Sequence, residues 1–268
     1  MWNPNQTPFA TIPAALAAAF LKTYHGDMDG TRYYFMEKPG LELVRSRPGR
    51  RVYPWHMHAG HWTIGLMLEG AIRLHVCQGL PARFGPGSTF VLAPCQGHSL
   101  ETDADTELAV LCLETPLEPG PHAQALAHLC RSAGLPSRAG DRLGALGHEQ
   151  SLTAHAPWPL PDDVMTIIRR TLLAPDEPSS LTVLAGCAGY SRWHFLRRFQ
   201  AATGMTPRAF VRHCRVRRAR TMLRADMAAA CAAAAAGFSD QSHMHRLFRL
   251  YHGLTPKGFR LASIRIPF

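Results

Sequence analysis

The 268-residue sequence has no run of about 18 apolar residues, so it predicts no transmembrane helix. The apolar stretch at residues 14–21 has no lysine or arginine before it, and it therefore lacks the charged region of a signal peptide. The seven cysteines are odd in number and scattered, which argues against a disulfide framework and is typical of a reducing compartment. These absences predict a cytoplasmic protein with no membrane partner.

Two sequence signatures of catalysis are also missing. The chain has no Gly-x-Ser-x-Gly nucleophile elbow and no glycine-rich loop of the phosphate-binding type. Hydrophobic residues make up 46% and charged residues 18% of the chain, which are the proportions of a globular protein with a core. The length allows one large domain or two ordinary ones.

Acidic residues are scarce in the second part of the chain. Residues 1–162 contain 12 Lys or Arg and 14 Asp or Glu, a net charge of −2, whereas residues 163–268 contain 17 basic and 5 acidic residues, a net charge of +12. This asymmetry predicts that one part of the protein binds nucleic acid or another anionic surface. A basic face that contacts only solvent is the alternative.

Residues 31–114 have the pattern of short strands between turns. The clearest strands are residues 41–44, 63–68, 71–76 and 88–92, and Glu69-Gly70 is a predicted hairpin turn. Closely spaced strands without helices between them favour a sandwich or a barrel. A linker rich in proline and glycine follows, with a predicted helix over residues 123–133.

From Pro161 onward the apolar pattern is helical, and it occurs twice. The turns Gly189-Tyr190-Ser191 and Gly237-Phe238-Ser239 are 48 residues apart, and their serines are predicted helix caps. Pro207 begins a long basic helix that is predicted to run to about Arg224. The repeated pattern indicates an internal duplication of a helix-turn-helix. Four later positions recur with the same spacing among themselves: Phe199, Gly204, Thr206 and Pro207 in the first copy, and Phe248, Gly253, Thr255 and Pro256 in the second.

A family resemblance is carried by Leu184-Ala185, Gly189-Tyr190-Ser191, residues 195–199, 203–207, 217–220 and 237–242, Gly253-Leu254-Thr255-Pro256 and Phe259-Arg260. On these residues, 163–262 resembles the DNA-binding domain of the AraC/XylS family of transcription regulators. The resemblance implies two helix-turn-helix units that are joined by the long helix, each placing one helix in the major groove of double-stranded DNA.

The two recognition helices carry polar and basic side chains that suit base edges and phosphates. Arginine can bond both acceptors of guanine, and glutamine can bond both edge groups of adenine. Trp193 and His194 are as consistent with packing or phosphate contact as with base reading. The arginines of the long helix are predicted to contact phosphates or acidic neighbours without reading sequence, and Arg217 is assigned to phosphate. They are Arg212, Arg215, Arg217, Arg218 and Arg220. The predicted DNA-binding residues are Arg192, Trp193, His194, Arg197, Arg198, Arg217, Gln241, Ser242, His243, His245 and Arg246, with Arg249 beside them.

Residues 228–236 are all alanine except Cys231. The family resemblance implies larger apolar groups at Ala229, Ala232 and Ala236. Each missing large side chain forfeits roughly 1.5–3 kcal/mol of burial. We therefore expect loose packing of the second helix-turn-helix unless neighbouring side chains fill the space.

The strand-rich part resembles a cupin, the barrel that this family commonly uses to bind an effector and to dimerise. Pro54-Trp55-His56-Met57-His58 with Glu69-Gly70 resembles the first cupin motif, and residues 85–87 with 94–98 resemble the second. Alternate residues of a strand share one face, so His56 and His58 are expected to face inward together, and His98 is the position that meets them in metal-binding cupins. His61 and Cys95 are candidate additional ligands, and imidazole with thiolate suits Ni, Co, Zn or Cu. An organic effector pocket lined by these histidines is the alternative.

The sequence therefore predicts an α+β two-domain protein. Its parts are an N-terminal arm (1–30), a cupin-like sensor domain (31–117), a helical dimerisation or linker region (118–160) and a DNA-binding domain (161–268), with the helix-turn-helix units at about 181–204 and 228–252. The predicted function is a homodimeric transcription regulator that senses a metal or a small molecule and contacts RNA polymerase, as activator or repressor. The rival hypothesis is a cupin metalloenzyme of the dioxygenase or isomerase type with an accessory basic domain.

Overall fold

The computed structural model describes residues 31–37, 40–46, 48–77, 79–114, 116–117, 121–148, 160–177 and 179–267. The predicted N-terminal arm, residues 1–30, and the end of the predicted linker, residues 149–159, lie outside these ranges. Among the helices in the described ranges, none combines the length and the apolar character needed to cross a membrane.

In the described residues of the N-terminal part, nine strands form two sheets with antiparallel neighbours. The strands are β1 (Arg32–Met36), β2 (Leu41–Ser46), β3 (Arg51–His56), β4 (Trp62–Glu69), β5 (Ile72–Val76), β6 (Ala82–Phe84), β7 (Thr89–Leu92), β8 (His98–Thr102) and β9 (Glu107–Leu113). One sheet has the order β1-β2-β9-β4-β7 and the other has the order β3-β8-β5-β6. Buried side chains of both sheets, such as Leu74, Phe90, Leu100 and Leu108, pack together between them. This arrangement confirms the predicted cupin-like barrel.

The predicted Glu69-Gly70 hairpin is wrong. β4 pairs with β7 and β9, whereas β5 pairs with β6 and β8, so the turn carries the chain from one sheet to the other. Gly70 has φ +66°, and a Cβ there would lie 2.7 Å from the Cα of Thr106. The crossing therefore needs glycine for both its conformation and its space.

Two helices, α1 (Pro121–Ser132) and α2 (Ser137–Gly147), pack on the outside of the larger sheet. Leu126 and Leu129 of α1 and Leu143 of α2 are buried against strand residues that include Leu43 and Leu111. The sequence pattern predicts α1 and not α2, since Gly140 and Gly144 weaken the helical signal of the second segment.

The C-terminal part is helical. Its helices are α3 (Asp162–Leu173), α4 (Leu181–Cys187), α5 (Arg192–Thr203), α6 (Pro207–Arg224), α7 (Ala229–Ala235), α8 (Gln241–His252) and α9 (Pro256–Ala262). Helices α4–α5 and α7–α8 are the two helix-turn-helix units, and α6 joins them as predicted. The Ser191 hydroxyl caps α5 by accepting from the amide of His194.

The cap of the second unit differs from the prediction. The carboxylate of Asp240, rather than the hydroxyl of Ser239, accepts from the amide of His243 at 2.7 Å and begins α8. The one-residue shift agrees with the spacing in the sequence, because Phe248 lies 49 residues after Phe199 whereas the two turns are 48 apart.

The alanine-rich helix α7 is packed by large neighbours. Ala232, Ala233 and Ala236 are at most 2% exposed, and they lie in one cluster with Phe238 and Phe248. Ala229 is partly buried against the same cluster. Ala232 and Ala236, two of the three positions where larger groups were expected, are therefore packed.

The two parts of the protein are docked on each other. A short strand, β10 (Ser263–Arg265), follows α9 and pairs in parallel with β1, so the last described residues extend the larger barrel sheet. The sequence pattern gives no strand after Pro161, and β10 is too short for periodicity to reveal. In addition, Met57 of the barrel is fully buried in the core of the first helix-turn-helix, beside Phe195 and Phe199.

A buried ion pair also crosses this contact. The carboxylate of Glu42 on β2 accepts hydrogen bonds from Arg220 and Arg224 of α6, and its side chain is 13% exposed. The guanidinium of Arg224 lies 4.4 Å from the ring centroid of Phe35 on β1. Since both arginines belong to the helix between the two helix-turn-helix units, these contacts fix the position of the helix against the barrel.

Candidate functional site

Three histidines converge at one end of the barrel. His56 and His98 are directly opposite each other in the β3–β8 ladder, and their ring centroids lie 4.2 Å apart. The ring of His58 lies 5.1 Å from that of His56 and 5.2 Å from that of His98. In the described part of the chain, these three residues form a group whose ligand atoms all lie within 4.8 Å of one another.

Strand alternation explains only part of this convergence. His56 is the last residue of β3, and His58 lies beyond the strand, after a register shift between Tyr53 and His56. Met57 points the other way and is buried in the DNA-binding domain. The segment 56–58 therefore contacts the histidine cluster with alternate residues and the first helix-turn-helix with the residue between them.

Backbone carbonyls orient two of the three imidazoles. The Nδ1 of His56 lies 2.7 Å from the Pro54 carbonyl oxygen, and the Nδ1 of His98 lies 2.9 Å from that of Gln96. Because a carbonyl oxygen can only accept, each Nδ1 carries the proton and each Nε2 keeps a lone pair. This arrangement is the usual way in which proteins orient a metal-binding imidazole.

Burial keeps the cluster neutral. It lowers the pKa of His56, and it lowers the pKa values of His58 and His98 well below the ordinary value, with the neighbouring imidazoles adding to the effect. Neutral imidazole is the form that coordinates a metal. The donor set and its protonation state therefore fit a divalent transition metal.

The two other predicted ligands occupy different places. The ring of His61 lies 4.9 Å from that of His58 and lines the cavity, but His61 is not part of the convergent group. Cys95 does not line the cavity, and its side chain packs against the core of the first helix-turn-helix. The geometry therefore argues against Cys95 as a ligand and leaves His61 at the edge of the site.

The cluster opens into a cavity of about 140 Å³ at the contact between the two parts of the protein. The barrel walls are mostly apolar and include Phe90, Leu92, Leu100, Leu108 and Val110. Four lining residues come from the DNA-binding domain: His213 and Arg220 of α6, and Tyr251 and His252 of α8. The pattern of the sequence does not indicate these four residues as site residues. His213 is a polar residue at an inward position of α6, but the sequence does not show which surface that position faces.

The first recognition helix, α5, presents four of the predicted DNA-binding residues to solvent. Arg192, Trp193, His194 and Arg197 are exposed, with the Trp193 side chain 69% exposed. The ring of His194 stacks on Tyr190 at a centroid distance of 4.6 Å, which fixes its direction. A large exposed aromatic side chain beside two arginines suits a nucleic-acid surface.

The second recognition helix, α8, is similar. Gln241, Ser242 and Arg246 are exposed, as is Arg249. His243 and His245 are partly buried, and each side chain has a partner within the protein. The Nδ1 of His243 lies 3.2 Å from the Ser239 hydroxyl, and the Nε2 of His245 lies 3.3 Å from the Nε2 of Gln241.

Two predicted DNA contacts have partners inside the protein. Arg198 makes a two-point ion pair with Asp163, with Nη2 2.9 Å from Oδ1, and this contact lowers the pKa of Asp163. Arg217 faces the barrel, where burial and this arginine lower the pKa of His61 to about 4. Contacts within the protein compete with DNA for these two side chains, and their role at DNA stays a prediction. A run of arginines does not show which of them face the neighbouring domain.

Other arginines of α6 are also engaged within the protein. Arg218 pairs with Asp176, and the Nε of Arg215 donates to the Pro175 carbonyl at 2.8 Å. Arg220 pairs with Glu42. These arginines of α6 therefore stabilise the contacts of the helix with other parts of the protein.

Family profiles match both parts of the chain. The profile described as "Helix-turn-helix domain" matches residues 184–262, and the profile described as "Cupin domain" matches residues 42–114. The fold and these matches define a DNA-binding regulator with a barrel domain.

Relatives in sequence agree with this class. The "Probable transcription factor PqrA" of Proteus vulgaris is 33% identical over 91 residues, which are 34% of this chain and 75% of that protein. The "Uncharacterized HTH-type transcriptional regulator YbfI" of Bacillus subtilis is 24% identical over 239 residues, covering 76% of this chain and 86% of that one. The "Bifunctional transcriptional activator/DNA repair enzyme Ada" of Escherichia coli is 37% identical over 89 residues, and the match spans 25% of that protein.

The whole two-domain layout also has solved counterparts. A structure of ToxT from Vibrio cholerae superposes with a TM-score of 0.55 at 11% identity, covering 83% of this chain and 96% of that one. This similarity concerns the fold. The chain belongs to the AraC/XylS family of transcription regulators, with an N-terminal cupin domain.

Proposed function

We propose that this regulator senses a divalent transition metal through His56, His58 and His98, and that the ion changes how its helix-turn-helix units bind DNA. The observation that carries the proposal is the convergence of three neutral imidazoles, two of which are oriented by backbone carbonyls. Nickel, cobalt, zinc and copper suit such a donor set, whereas magnesium and calcium prefer oxygen ligands.

The effect on DNA binding follows from the position of the cluster. A ligand can shift a conformational equilibrium only if it binds one state better than the other. Here the segment that carries His56 and His58 also carries Met57, which is buried in the first helix-turn-helix. Movement of the two histidines towards an ion therefore acts directly on the contact with the DNA-binding domain.

Calorimetry of the full chain tests the metal site. The wild type is expected to bind one divalent transition metal ion per chain at micromolar concentration, and His56→Ala/His58→Ala is expected to lose this binding. The control is His75→Ala/His128→Ala, which removes two histidines outside the cluster and is expected to bind as the wild type does. Absence of binding by the wild type would refute the proposal.

A small organic effector is the second candidate, and the cavity favours it. A volume of about 140 Å³ with apolar walls is close to the roughly 150 Å³ that holds a benzene molecule. ToxT has been solved with an unsaturated fatty acid bound. That structure is 12% identical to the present chain and superposes on it with a TM-score of 0.54. The cavity of the present protein suits a ring-sized ligand rather than a long chain. Calorimetry with small aromatic compounds would distinguish this function from metal sensing.

The DNA-reading residues form a separate part of the proposal. We infer that Arg197 and Gln241 read base edges and that Arg192, Arg246 and Arg249 contact DNA beside them, because these side chains are exposed on the two recognition helices. Trp193, His194, Ser242, His243 and His245 complete the proposed surface. Footprinting is expected to show two adjacent major-groove segments about one helical turn apart, and a single protected segment would contradict the two-helix arrangement.

The proposed regulator has no enzymatic activity. Support comes from the relatives, whose names describe transcription regulators, and from the Ada match, which is limited to 89 residues. We further propose that it acts in the cytoplasm as a homodimer that contacts RNA polymerase. Sedimentation and in vitro transcription with purified polymerase test the two partners, and a monomer with no effect on transcription would contradict them.

A further inference from the structure

His213 is a buried titratable side chain that the linking helix α6 directs at the barrel. It is 4% exposed, and its ring centroid lies 5.8 Å from that of His56 and 4.9 Å from that of Tyr251. Neither ring nitrogen makes a hydrogen bond of normal geometry. Burial lowers the pKa of His213, and the nearby backbone of Met57 offsets part of that effect. Leaving a buried polar group without a full partner costs free energy, so this position calls for a ligand.

The rings of the barrel cluster have the spacing of imidazoles that share one ion. Two imidazoles bound to one tetrahedral ion at about 2.0–2.1 Å have ring centroids roughly 5 Å apart. The separations within the barrel cluster are 4.2, 5.1 and 5.2 Å, and that between His56 and His213 is 5.8 Å. His213 lies outside the convergent group, so its side chain must move towards His56 to reach the distance of a fourth ligand.

We propose that His213 is the fourth ligand of the ion, so that the metal site is completed by the DNA-binding domain. This inference rests on the proposed metal site and assigns it a ligand from α6. Four neutral imidazoles suit the tetrahedral preference of zinc and of cobalt. The ion would join the end of the barrel to the helix that connects both helix-turn-helix units, and metal binding would favour the docked arrangement of the two domains.

A second histidine of the same cavity provides a matched control. His252 of α8 also lines the cavity, and its Nε2 also lacks a hydrogen bond. Its described ring contacts are with Phe248 at 4.7 Å and Phe259 at 5.9 Å, away from the cluster. A substitution there removes a partly buried imidazole with one unpartnered nitrogen, without removing a proposed ligand.

The test is cobalt binding to the full chain, followed by visible absorption. His213→Gln is expected to weaken cobalt affinity at least about tenfold, a loss that even outer-sphere partners of metal ligands cause, and to lose the intense absorption of tetrahedral cobalt. His252→Gln is expected to retain both properties. Hydrogen exchange gives the second readout: cobalt is expected to slow amide exchange in residues 207–224 of the wild type and of His252→Gln, but not of His213→Gln.

The outcomes distinguish the fourth ligand, His213, from the proposed three-histidine metal site. If His213→Gln keeps the wild-type affinity, spectrum and exchange, the fourth ligand is refuted while the three-histidine metal site stands. If the wild type binds no cobalt, both are refuted. A His213→Cys variant covers the case in which His213→Gln does not fold. Its thiolate is expected to restore four-coordinate cobalt and add a sulfur-to-cobalt charge-transfer band, and a folded variant that binds cobalt without this band would overturn the inference.

Discussion

Glu42→Gln removes the negative charge between two arginines at the contact between the domains. Burial alone would raise the pKa of Glu42, but Arg220 and Arg224 outweigh it and hold the pKa at about 2. The glutamine variant leaves two largely buried guanidinium groups without an anion. Breaking a buried ion pair in this way costs about 3–5 kcal/mol, and we expect about 3 kcal/mol because the side chains retain 13–20% exposure.

Urea unfolding of the full chain measures this loss. The control is Asp103→Asn, which removes an exposed ion pair with Arg83 and is expected to change the free energy of unfolding by less than about 1 kcal/mol. The carboxylate contribution is present above the unfolded pKa of 4.5 and is lost as the pH falls towards 2. The difference between Glu42→Gln and the wild type should therefore shrink in acid. A Glu42→Gln variant as stable as Asp103→Asn would refute the role of the ion pair.

Three further predictions concern DNA reading, docking and pH. Arg197→Ala and Gln241→Ala should each relax preference at particular base pairs, costing about 1–3 kcal/mol on the best site in a binding-site selection; uniform weakening on all sequences would contradict base reading. Gly97→Ala should weaken docking of the first helix-turn-helix, since a Cβ would lie 1.9 Å from the Thr203 carbonyl oxygen, whereas Gly85→Ala meets nothing within 4 Å; equal melting temperatures would contradict this. The metal-free protein should lose stability as the pH falls below about 6.5, because the unfolded chain binds protons that the buried histidine cluster does not; a stability that is constant from pH 7 to 5 would contradict this.

The fold could be predicted from local sequence signals where these signals repeat. The helix-turn-helix duplication, the cap at Ser191 and the long helix from Pro207 agree with the structure because capping and proline act within a few residues. The hairpin at Glu69-Gly70 failed because a turn signal does not tell which sheet receives the next strand.

The candidate site was predictable only on the barrel side. His56, His58 and His98 belong to short motifs whose resemblance to those of metal-binding cupins implies convergence. His213 and the Glu42 ion pair depend on how two separately patterned domains dock, and no local pattern contains that information. The same limit applies to Arg217. The neighbouring arginines in the sequence indicate a DNA contact, whereas the neighbours of Arg217 in the structure include barrel residues.

Metal sensing by this regulator is tested by the effect of metal on its DNA affinity. Fluorescence anisotropy would measure the Kd of the full chain for a duplex selected from random sequence, with and without zinc, cobalt or nickel. We expect one of these ions to change the Kd of the wild type about fivefold or more, the usual scale of coupling between sites, and to leave that of His56→Ala/His58→Ala unchanged. A wild-type Kd that is the same with and without every ion, or an equal change in the double variant, would contradict metal sensing.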